Sequence, residues 1–271
     1  MKLVLLSGGS GKRLWPLSND SRSKQFLKVL KDDQNELESM VQRVWRQLKK
    51  VGLADSAYIA TGGAQVDMIQ SQLGQEVPLI VEPERRDTFP AIALAATYLY
   101  SIVGVSLEEV VCVLPVDPYV EDRFFHSVRE LERVVREAGA ELALIGVKPT
   151  YPSEKYGYIV PEQGRAIGNS WLKVSHFTEK PNVEQAKGLI RQNALWNCGV
   201  FAFKLDYVIN LLTEKGSPIQ FEEMRKQYGK LPKISFDYEV VEKAKCIAVL
   251  PYDGDWKDLG TWNTLTEEMD T

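Results

Sequence analysis

Near its start the chain reads LVLLSGGSGKRLWPLS, residues 3–18. A short apolar run, Leu3–Leu6, leads directly into the glycine-rich segment of residues 7–11, and Lys12 and Arg13 follow at once. Such a run is typical of a buried strand that ends in a tight turn. Because glycine has no Cβ, a turn of this kind presents several backbone N–H groups to one bulky anion. The stretch therefore predicts a loop that binds a polyphosphate.

The loop matches neither of two familiar phosphate-binding motifs. In a Walker motif that ends at Gly11-Lys12, the first glycine would be Leu6, and Arg13 replaces the Ser or Thr. A dinucleotide fingerprint that starts at Gly9 would need glycine where Leu14 stands. We therefore expect Arg13 and Lys24 to supply mobile charge to the phosphates. The alternative is a plain tight turn with solvated cations.

Outward from this stretch, short apolar runs alternate with amphipathic segments, which predicts an α/β fold with a mostly parallel sheet and helices on both faces. The predicted strands of the first half are 3–6, 57–60, 79–81, 110–114 and 142–147, and its predicted helices are 36–50, 89–102 (capped by Thr88) and 122–138. After about residue 147 the pattern predicts strands 158–160, 171–178, 199–204 and 246–250, with helices 183–192 and 206–212. We interpret the chain as one domain, with halves of about 1–147 and 148–271.

Composition excludes several classes of protein. The 271 residues are 44% hydrophobic and carry a net charge of −4, which argues against a general nucleic-acid binder. Three cysteines with no clustered spacing predict neither a disulfide framework nor a zinc site, and this suits the cytoplasm. The N-terminal apolar run is too short for a signal peptide or a membrane span. Only two histidines occur, so catalysis by histidine is not expected.

The loop, with KQFL after it, resembles that of sugar-1-phosphate nucleotidyltransferases, and its Trp-Pro-Leu-Ser version is similar to that of mannose-1-phosphate guanylyltransferases. Further matches follow in the family's order: EPERRDTFPAIALAA from Glu82, VLPVD from Val113, YGYI from Tyr156, FTEKP from Phe177, LWNCGVFAF from Leu195 and GDWKDLGTW from Gly254. The resemblance implies a Rossmann-like nucleotidyltransferase core, which is a mostly parallel mixed sheet flanked by helices, with an inserted sugar-binding β/α region. It also implies transfer of a nucleotidyl group to a sugar 1-phosphate, with release of pyrophosphate.

The reaction would join two anions, so we expect catalysis by charge neutralisation and alignment. The resemblance assigns this work to Arg13, Lys24, Asp117 and Lys180, and it makes Asp117 and Asp258 ligands of Mg²⁺. Magnesium prefers one or two carboxylates together with substrate phosphates, so two distant aspartates suit it. The alternative for each aspartate is a residue that caps a turn.

The resemblance also implies a nucleotide site and a sugar site. The nucleotide would contact Leu6, Ser7, Gly8, Gly9, Ser10, Gly11, Lys12, Glu82, Arg86, Thr88, Pro90 and Ala91, and the sugar phosphate would contact Gly157, Glu179, Lys180 and Asn197. Glu82 is the residue that reads the base: guanine offers two adjacent donors, N1–H and the N2 amine, which suit one carboxylate. A surface ion pair between Glu82 and Arg85 or Arg86 is the alternative.

Three departures from the family pattern leave the substrates open. Lys12 stands where Thr is usual, Ser23 where Pro is usual, and Pro118 where His is usual. The expected substrates are GTP and mannose 1-phosphate, which give a GDP-sugar and pyrophosphate. The alternatives are glucose or heptose 1-phosphate, dTTP or UTP, or a non-catalytic sensor of sugar nucleotides. We expect no C-terminal β-helix, no nucleic-acid or membrane partner, and a possible homodimer.

Overall fold

A computed structural model of the chain describes residues 1–8, 23–162 and 170–258. The elements of the first half are β1 (Lys2–Ser7), β2 (Leu30–Lys31), β3 (Leu37–Glu38), α1 (Met40–Lys50), β4 (Ala57–Gly62), α2 (Val66–Leu73), β5 (Leu79–Glu82), α3 (Thr88–Tyr98), β6 (Val110–Pro115), β7 (Pro118–Val120), α4 (Arg123–Ala138) and β8 (Leu142–Val147). Those of the second half are β9 (Tyr158–Pro161), β10 (Leu172–Thr178), α5 (Val183–Arg191), β11 (Leu195–Lys204), α6 (Leu205–Glu214), α7 (Phe221–Gln227), α8 (Phe236–Glu239), β12 (Ile247–Tyr252) and β13 (Trp256–Asp258).

Nine of the strands form one sheet, in the order β5-β4-β1-β6-β11-β8-β12-β10-β9. Strand β1 lies between two parallel partners, and its residues alternate between the two faces. Leu3 and Leu5 pack into the hydrophobic layer beneath α1, α4 and α5, whereas Val4 packs into the layer beneath α3, α6, α7 and α8. A strand with parallel partners on both sides and helices on both faces must be apolar throughout, which explains the run Leu3–Leu5.

The sheet is parallel only in part, which corrects the prediction of a mostly parallel sheet. Strands β5, β4, β1 and β6 are parallel to one another, and β8 is parallel to β12. Strand β11 lies antiparallel between β6 and β8, and β10 is antiparallel to β12 and β9. The apolar content of β11 indicates only that it is buried and carries no signal for its direction.

Two predicted helices begin or end elsewhere. Helix α1 begins at Met40 because Ser39 caps it in a capping box with Gln42. Leu37 lies instead in β3 with 57% of its surface exposed. Helix α3 is capped by Asp87, whose side chain accepts from the backbone N–H of Thr88, so Thr88 is its first residue and not its cap.

The other predicted strands and helices are confirmed to within a few residues, and Gly139 caps α4 in the left-handed conformation as expected. The pattern missed the short elements α2, α7, α8, β2, β3, β7 and β13. None of them is long enough to display a clear hydrophobic period. In residues 1–8, 23–162 and 170–258, no helix has the length and apolar character that a membrane crossing requires.

Two glycines test how tightly the sheet is packed. A Cβ on Gly146, in β8, would lie 2.8 Å from Leu195 Cβ and 2.9 Å from Val249 Cγ2. We expect Gly146→Ala to lower the free energy of unfolding by about 1–3 kcal/mol through overpacking, measured by urea denaturation.

Gly188 in α5 is the matched control, because a Cβ there meets no atom of the described residues within 4 Å. Gly188→Ala should raise the stability by about 0.5–1 kcal/mol, since alanine loses less backbone entropy in a helix. Equal effects of the two substitutions would contradict the tight contact across β8.

Candidate functional site

Two adjoining cavities open where β1, β5 and β6 end, which is the edge of a parallel sheet where ligands bind in open α/β folds. The larger has a volume of about 440 Å³ and the smaller about 260 Å³. Both are lined by the same six residues at their junction: Gly8, Arg85, Pro115, Asp117, Gly199 and Asp237. One ligand could therefore occupy each cavity, with its reactive end at the junction.

Most of the described candidate residues line one of these cavities. The larger is lined by the candidates Gly8, Lys24, Asp117, Gly157, Glu179, Asn197 and Asp258. The smaller is lined by the candidates Leu6, Ser7, Gly8, Glu82, Thr88, Ala91 and Asp117. The residues assigned to the sugar and those assigned to the base thus lie in different cavities.

Three of the candidates that the structure describes line neither cavity. Arg86 turns away, because its guanidinium pairs with Glu84 at 3.1 Å and donates to the backbone oxygen of Leu231 at 2.8 Å. Pro90 is buried within α3. Lys180 lies beside the larger cavity, where its ammonium contacts Glu179 Oε1 at 2.7 Å. The assignment of Arg86 and Pro90 to the nucleotide site therefore stays a prediction.

Five candidates, Gly9 to Arg13, lie outside the described residues, and one of them is Lys12, the first of the three departures from the family pattern. The two other departures are described. Ser23 is buried and accepts a hydrogen bond from Gln65 Nε2 at 2.8 Å. Pro118 begins β7, where it pairs with Asp258 of β13.

This β7–β13 pairing brings together two aspartates that are far apart in sequence. The ammonium of Lys24 lies between them, 2.7 Å from Asp117 Oδ2 and 3.3 Å from Asp258 Oδ1. Burial works against the charged form of Lys24, but the two carboxylates outweigh it, so its pKa is raised. Lys24 therefore carries a full positive charge between the two acids.

Asp117 and Asp258 could hold a magnesium ion that also binds substrate phosphates, at the point between their carboxylates where the ammonium of Lys24 lies. The two carboxylates are close enough together for one cation to contact both, because the ammonium of Lys24 does so. The described residues contain no group of three or more acidic, histidine or cysteine side chains that could enclose a metal ion. Two carboxylates with an open side are the donor set that magnesium uses with phosphates.

Glu179 presents a buried carboxylate to the larger cavity. Its side chain is 5% exposed, its Oε1 pairs with Lys180, and its Oε2 has no hydrogen-bond partner within the described part of the chain. Burial raises the pKa of Glu179, although Lys180 opposes this shift. A Cβ on Gly157 would lie 2.5 Å from that Oε2, so glycine is required here to make room for the carboxylate.

Asp237 is a site residue that the sequence analysis missed. It lines both cavities and accepts a hydrogen bond from Asn197 Nδ2 at 2.7 Å. Asn197 Oδ1 in turn accepts from the backbone N–H of Gly199 at 3.0 Å, so its amide is oriented by the protein. Burial, reinforced by the nearby charge of Glu179, raises the pKa of Asp237 to about 7. The signal was weak because Asp237 lies in the four-residue helix α8.

Glu82 ends β5 in the smaller cavity and is buried. The hydroxyl of Tyr228 donates to its Oε2 at 2.7 Å, and Tyr228 is itself fully buried. Burial raises the pKa of Glu82, while Tyr228 and the charge of Arg85 oppose the shift. The alternative of a surface ion pair is therefore wrong for this residue, because Glu82 is bonded to Tyr228 inside the cavity.

Solved structures with the same fold include two proteins with mannose in their names. The match to a mannose-1-phosphate geranyltransferase from Thermus thermophilus has a TM-score of 0.82 and 27% identity, and covers 100% of this chain and 79% of the other. A mannose-6-phosphate isomerase from Helicobacter pylori matches at a TM-score of 0.71 with 18% identity, over 95% of this chain and 100% of the other, which supports the fold alone. The architecture is thus an α/β nucleotidyltransferase fold.

The family follows from the sequence comparison. The model of the family described as Nucleotidyl transferase matches residues 2–271, so the chain belongs to that family. A mannose-1-phosphate guanylyltransferase from Sinorhizobium fredii is 31% identical over 97% of this chain and 54% of its own length. One from Salmonella typhimurium is 30% identical over 97% of this chain and 57% of its own. The chain spans about 60% or less of the length of these curated relatives.

The hydrogen bond between Tyr228 and Glu82 yields a prediction that does not depend on any substrate. We expect Tyr228→Phe to raise the pKa of Glu82 further, because the hydroxyl stabilises the ionised carboxylate. The shift is measured by titrating the side-chain carboxyl ¹³C signal of Glu82. Leaving a buried carboxylate oxygen without its donor should also cost about 1–3 kcal/mol of stability.

Tyr98→Phe serves as the control. Tyr98 makes edge-to-face ring contacts with Tyr58 and Phe221, and those contacts survive the loss of its hydroxyl. Its effect on the pKa of Glu82 should be nil. If Tyr228→Phe left the titration of Glu82 unchanged, the two side chains would not be bonded in solution.

Proposed function

We propose that the protein transfers a guanylyl group from GTP to mannose 1-phosphate or a closely related sugar 1-phosphate, giving a GDP-sugar and pyrophosphate. One observation carries the proposal: the predicted base-reading residue Glu82 and the predicted sugar-reading residues Glu179 and Asn197 line two cavities that meet at Asp117. This is the layout that a reaction between two phosphate-bearing substrates needs.

The smaller cavity suits a guanine base. One oxygen of Glu82 accepts from Tyr228, and a carboxylate retains further acceptor sites on both oxygens for the N1–H and N2 amine of guanine. Thymine and uracil have a single N–H between two carbonyls, which a carboxylate matches poorly. Burial of Glu82 strengthens the discrimination, because an unmatched polar group is costly in a site closed to water.

The larger cavity suits a sugar phosphate. Glu179 Oε2 has no partner in the described structure, and Asp237 also faces this cavity, so two carboxyl groups are available to accept hydrogen bonds from sugar hydroxyls. Lys180 is the proposed ligand of the sugar phosphate, and its half-exposed ammonium lies beside Glu179. The oriented amide of Asn197 adds a third polar group to this wall.

The reaction itself needs alignment and charge neutralisation. An oxygen of the sugar phosphate attacks the α-phosphorus of GTP, and the bond to the β-phosphate breaks as pyrophosphate leaves. Lys24 supplies positive charge beside the junction, and Asp117 and Asp258 would hold Mg²⁺, which neutralises phosphate charge when bound. Arg13 is proposed to bind the triphosphate on the strength of the sequence resemblance.

Two curated relatives named mannose-1-phosphate guanylyltransferase support the choice of substrates. Because the chain spans little more than half of their length, we state the whole reaction as a proposal. The solved structure of HddC from Yersinia pseudotuberculosis complexed with GMP-PN has the same fold, with a TM-score of 0.59 and 16% identity, and so bears on the fold only. The cytoplasmic location and the homodimer likewise stay predictions.

The direct test is a grid of substrates. GTP, dTTP and UTP are each combined with mannose, glucose and heptose 1-phosphates in the presence of Mg²⁺, and pyrophosphate release is measured. We expect the pair GTP and mannose 1-phosphate to give the highest kcat/KM. A higher kcat/KM for another pair would show that the proposed substrates are wrong and that the proposed reaction type is right. Tight binding of GDP-mannose with no turnover of any pair would favour a sensor.

The metal ligands are tested by Asp117→Asn and Asp258→Asn. Each should lower kcat about 100-fold or more, because neutral amides bind Mg²⁺ weakly and the phosphate charge is then not balanced. Each should also weaken the binding of Mn²⁺ in the presence of GTP, which is measured by electron paramagnetic resonance without any turnover.

Asp253→Asn is the matched control, because Asp253 lies in the turn before β13 with its side chain 94% exposed. It should leave both the metal affinity and kcat at the level of the unchanged protein. Normal Mn²⁺ binding by Asp117→Asn and Asp258→Asn would place the metal elsewhere.

A further inference from the structure

Arg85 has a special position among the cations of the site. In the described part of the chain, Lys24, Arg85 and Lys155 are the lysines and arginines that line the cavities, and Arg85 alone lines both. Lys24 is already paired with Asp117 and Asp258. The described residues contain no carboxylate in an ion pair with Arg85. Its charge is therefore available to a ligand at the junction.

The guanidinium is anchored on the backbone at the start of the glycine-rich segment. Arg85 follows β5, and its Nη2 donates a hydrogen bond to the carbonyl oxygen of Gly8, the residue that follows β1. Arginine has five N–H donors in a planar fork, so one bond to a carbonyl leaves the others free to bind an anion. The side chain thus joins the carboxyl ends of two parallel strands at the edge where both cavities open.

The other charged groups at the junction are acidic. Asp117 and Asp237 line both cavities, and Glu82 and Asp87 line the smaller one. Two anionic reactants that meet there would be repelled unless a cation faces them as well. Arg85 is the cation of the described residues that belongs to the junction itself, and its charge already acts on the carboxyl group of Glu82.

We propose that Arg85 is a phosphate ligand shared by both reactants, and that it binds the α-phosphate of the nucleotide and the phosphate of the sugar where the two meet. The inference rests on the proposed function and names a residue that the sequence analysis did not assign to the site. In the reaction, a P–O bond forms between the sugar phosphate and the α-phosphorus, and the bond to the leaving pyrophosphate breaks with its electron pair. Arg85 stays protonated throughout and transfers no proton.

The test measures the binding of each reactant alone, by calorimetry with EDTA present so that no metal contributes. The ligands are GTP, mannose 1-phosphate, pyrophosphate and guanosine, and the proteins are the unchanged chain, Arg85→Ala, Arg85→Lys and Arg136→Ala. Arg136 is an exposed arginine on α4 that pairs with Glu132, so its variant controls for the loss of one surface charge.

We expect Arg85→Ala to weaken the binding of GTP and of mannose 1-phosphate by about tenfold or more each, the range for a lost charged hydrogen bond. Guanosine, which has no phosphate, should bind as before. Arg85→Lys should recover part of the affinity, since it keeps the charge but loses the fork. Arg136→Ala should bind every ligand normally.

Three outcomes would overturn the inference: unchanged binding of both phosphate ligands to Arg85→Ala, a loss confined to one of them, or an equal loss for guanosine, which would indicate a structural role. Binding by the unchanged chain separates an error in the proposed substrates from an error in the proposed role of Arg85. If that chain binds pyrophosphate in a manner that depends on Arg85 but binds neither GTP nor mannose 1-phosphate, the phosphate ligand stands and the substrates are wrong.

Discussion

The antiparallel pairing of β11 joins the two halves of the sheet, and the site forms where those halves meet. Strand β11 pairs antiparallel with β6 on one side and with β8 and β9 on the other. The register shifts between Asn197 and Phe201, and Gly199 within that irregular stretch has a φ of 72°, a left-handed conformation that glycine adopts without strain. The irregularity directs Asn197 and Gly199 into the cavities, next to Asp117 at the end of the parallel half.

The position of β11 between the two halves of the sheet also explains why the two cavities adjoin. The parallel strands β5, β1 and β6 end on one edge of the sheet and supply Glu82, Gly8 and Asp117. The antiparallel strands of the second half bring Glu179 and Asn197 to that edge from the other direction. Glu82 therefore lies in one cavity and Glu179 and Asn197 in the other, and the two cavities meet at the junction.

Electrostatic balance then shapes the site. Its carboxylates have different partners. Asp117 and Asp258 both form ion pairs with Lys24, and Glu179 forms one with Lys180. Glu82 accepts a hydrogen bond from the hydroxyl of Tyr228. Asp237 accepts from the neutral amide of Asn197 and has no ion-pair partner among the described residues, and burial raises its pKa. These contacts hold the carboxylates in place before a ligand binds, whereas Arg85 has no ion-pair partner among the described residues.

Local signals in the sequence were sufficient for the longer strands and helices and for selecting part of the candidate site. The buried strands are apolar runs, the long helices display their period, and Asp117 lies just beyond the end of a buried strand, so each could be recognised from neighbouring residues. The motif blocks likewise led to Glu82, Glu179 and Asn197 because these residues stand in recognisable contexts. The sequence alone was therefore sufficient to select these three residues, which line the cavities, and their roles in binding stay predictions.

Tertiary structure decided what depends on partners distant in the chain. The antiparallel direction of β11, the contact of Tyr228 with Glu82, the placement of Asp237 and the choice of Arg85 over its neighbour Arg86 all depend on which segments meet in space. Arg85 and Arg86 are adjacent in the sequence and chemically identical. In the structure, Arg85 lines the cavities, whereas Arg86 donates a hydrogen bond to the backbone oxygen of Leu231. Such long-range contacts are set by the packing of the whole chain, and no local pattern encodes them.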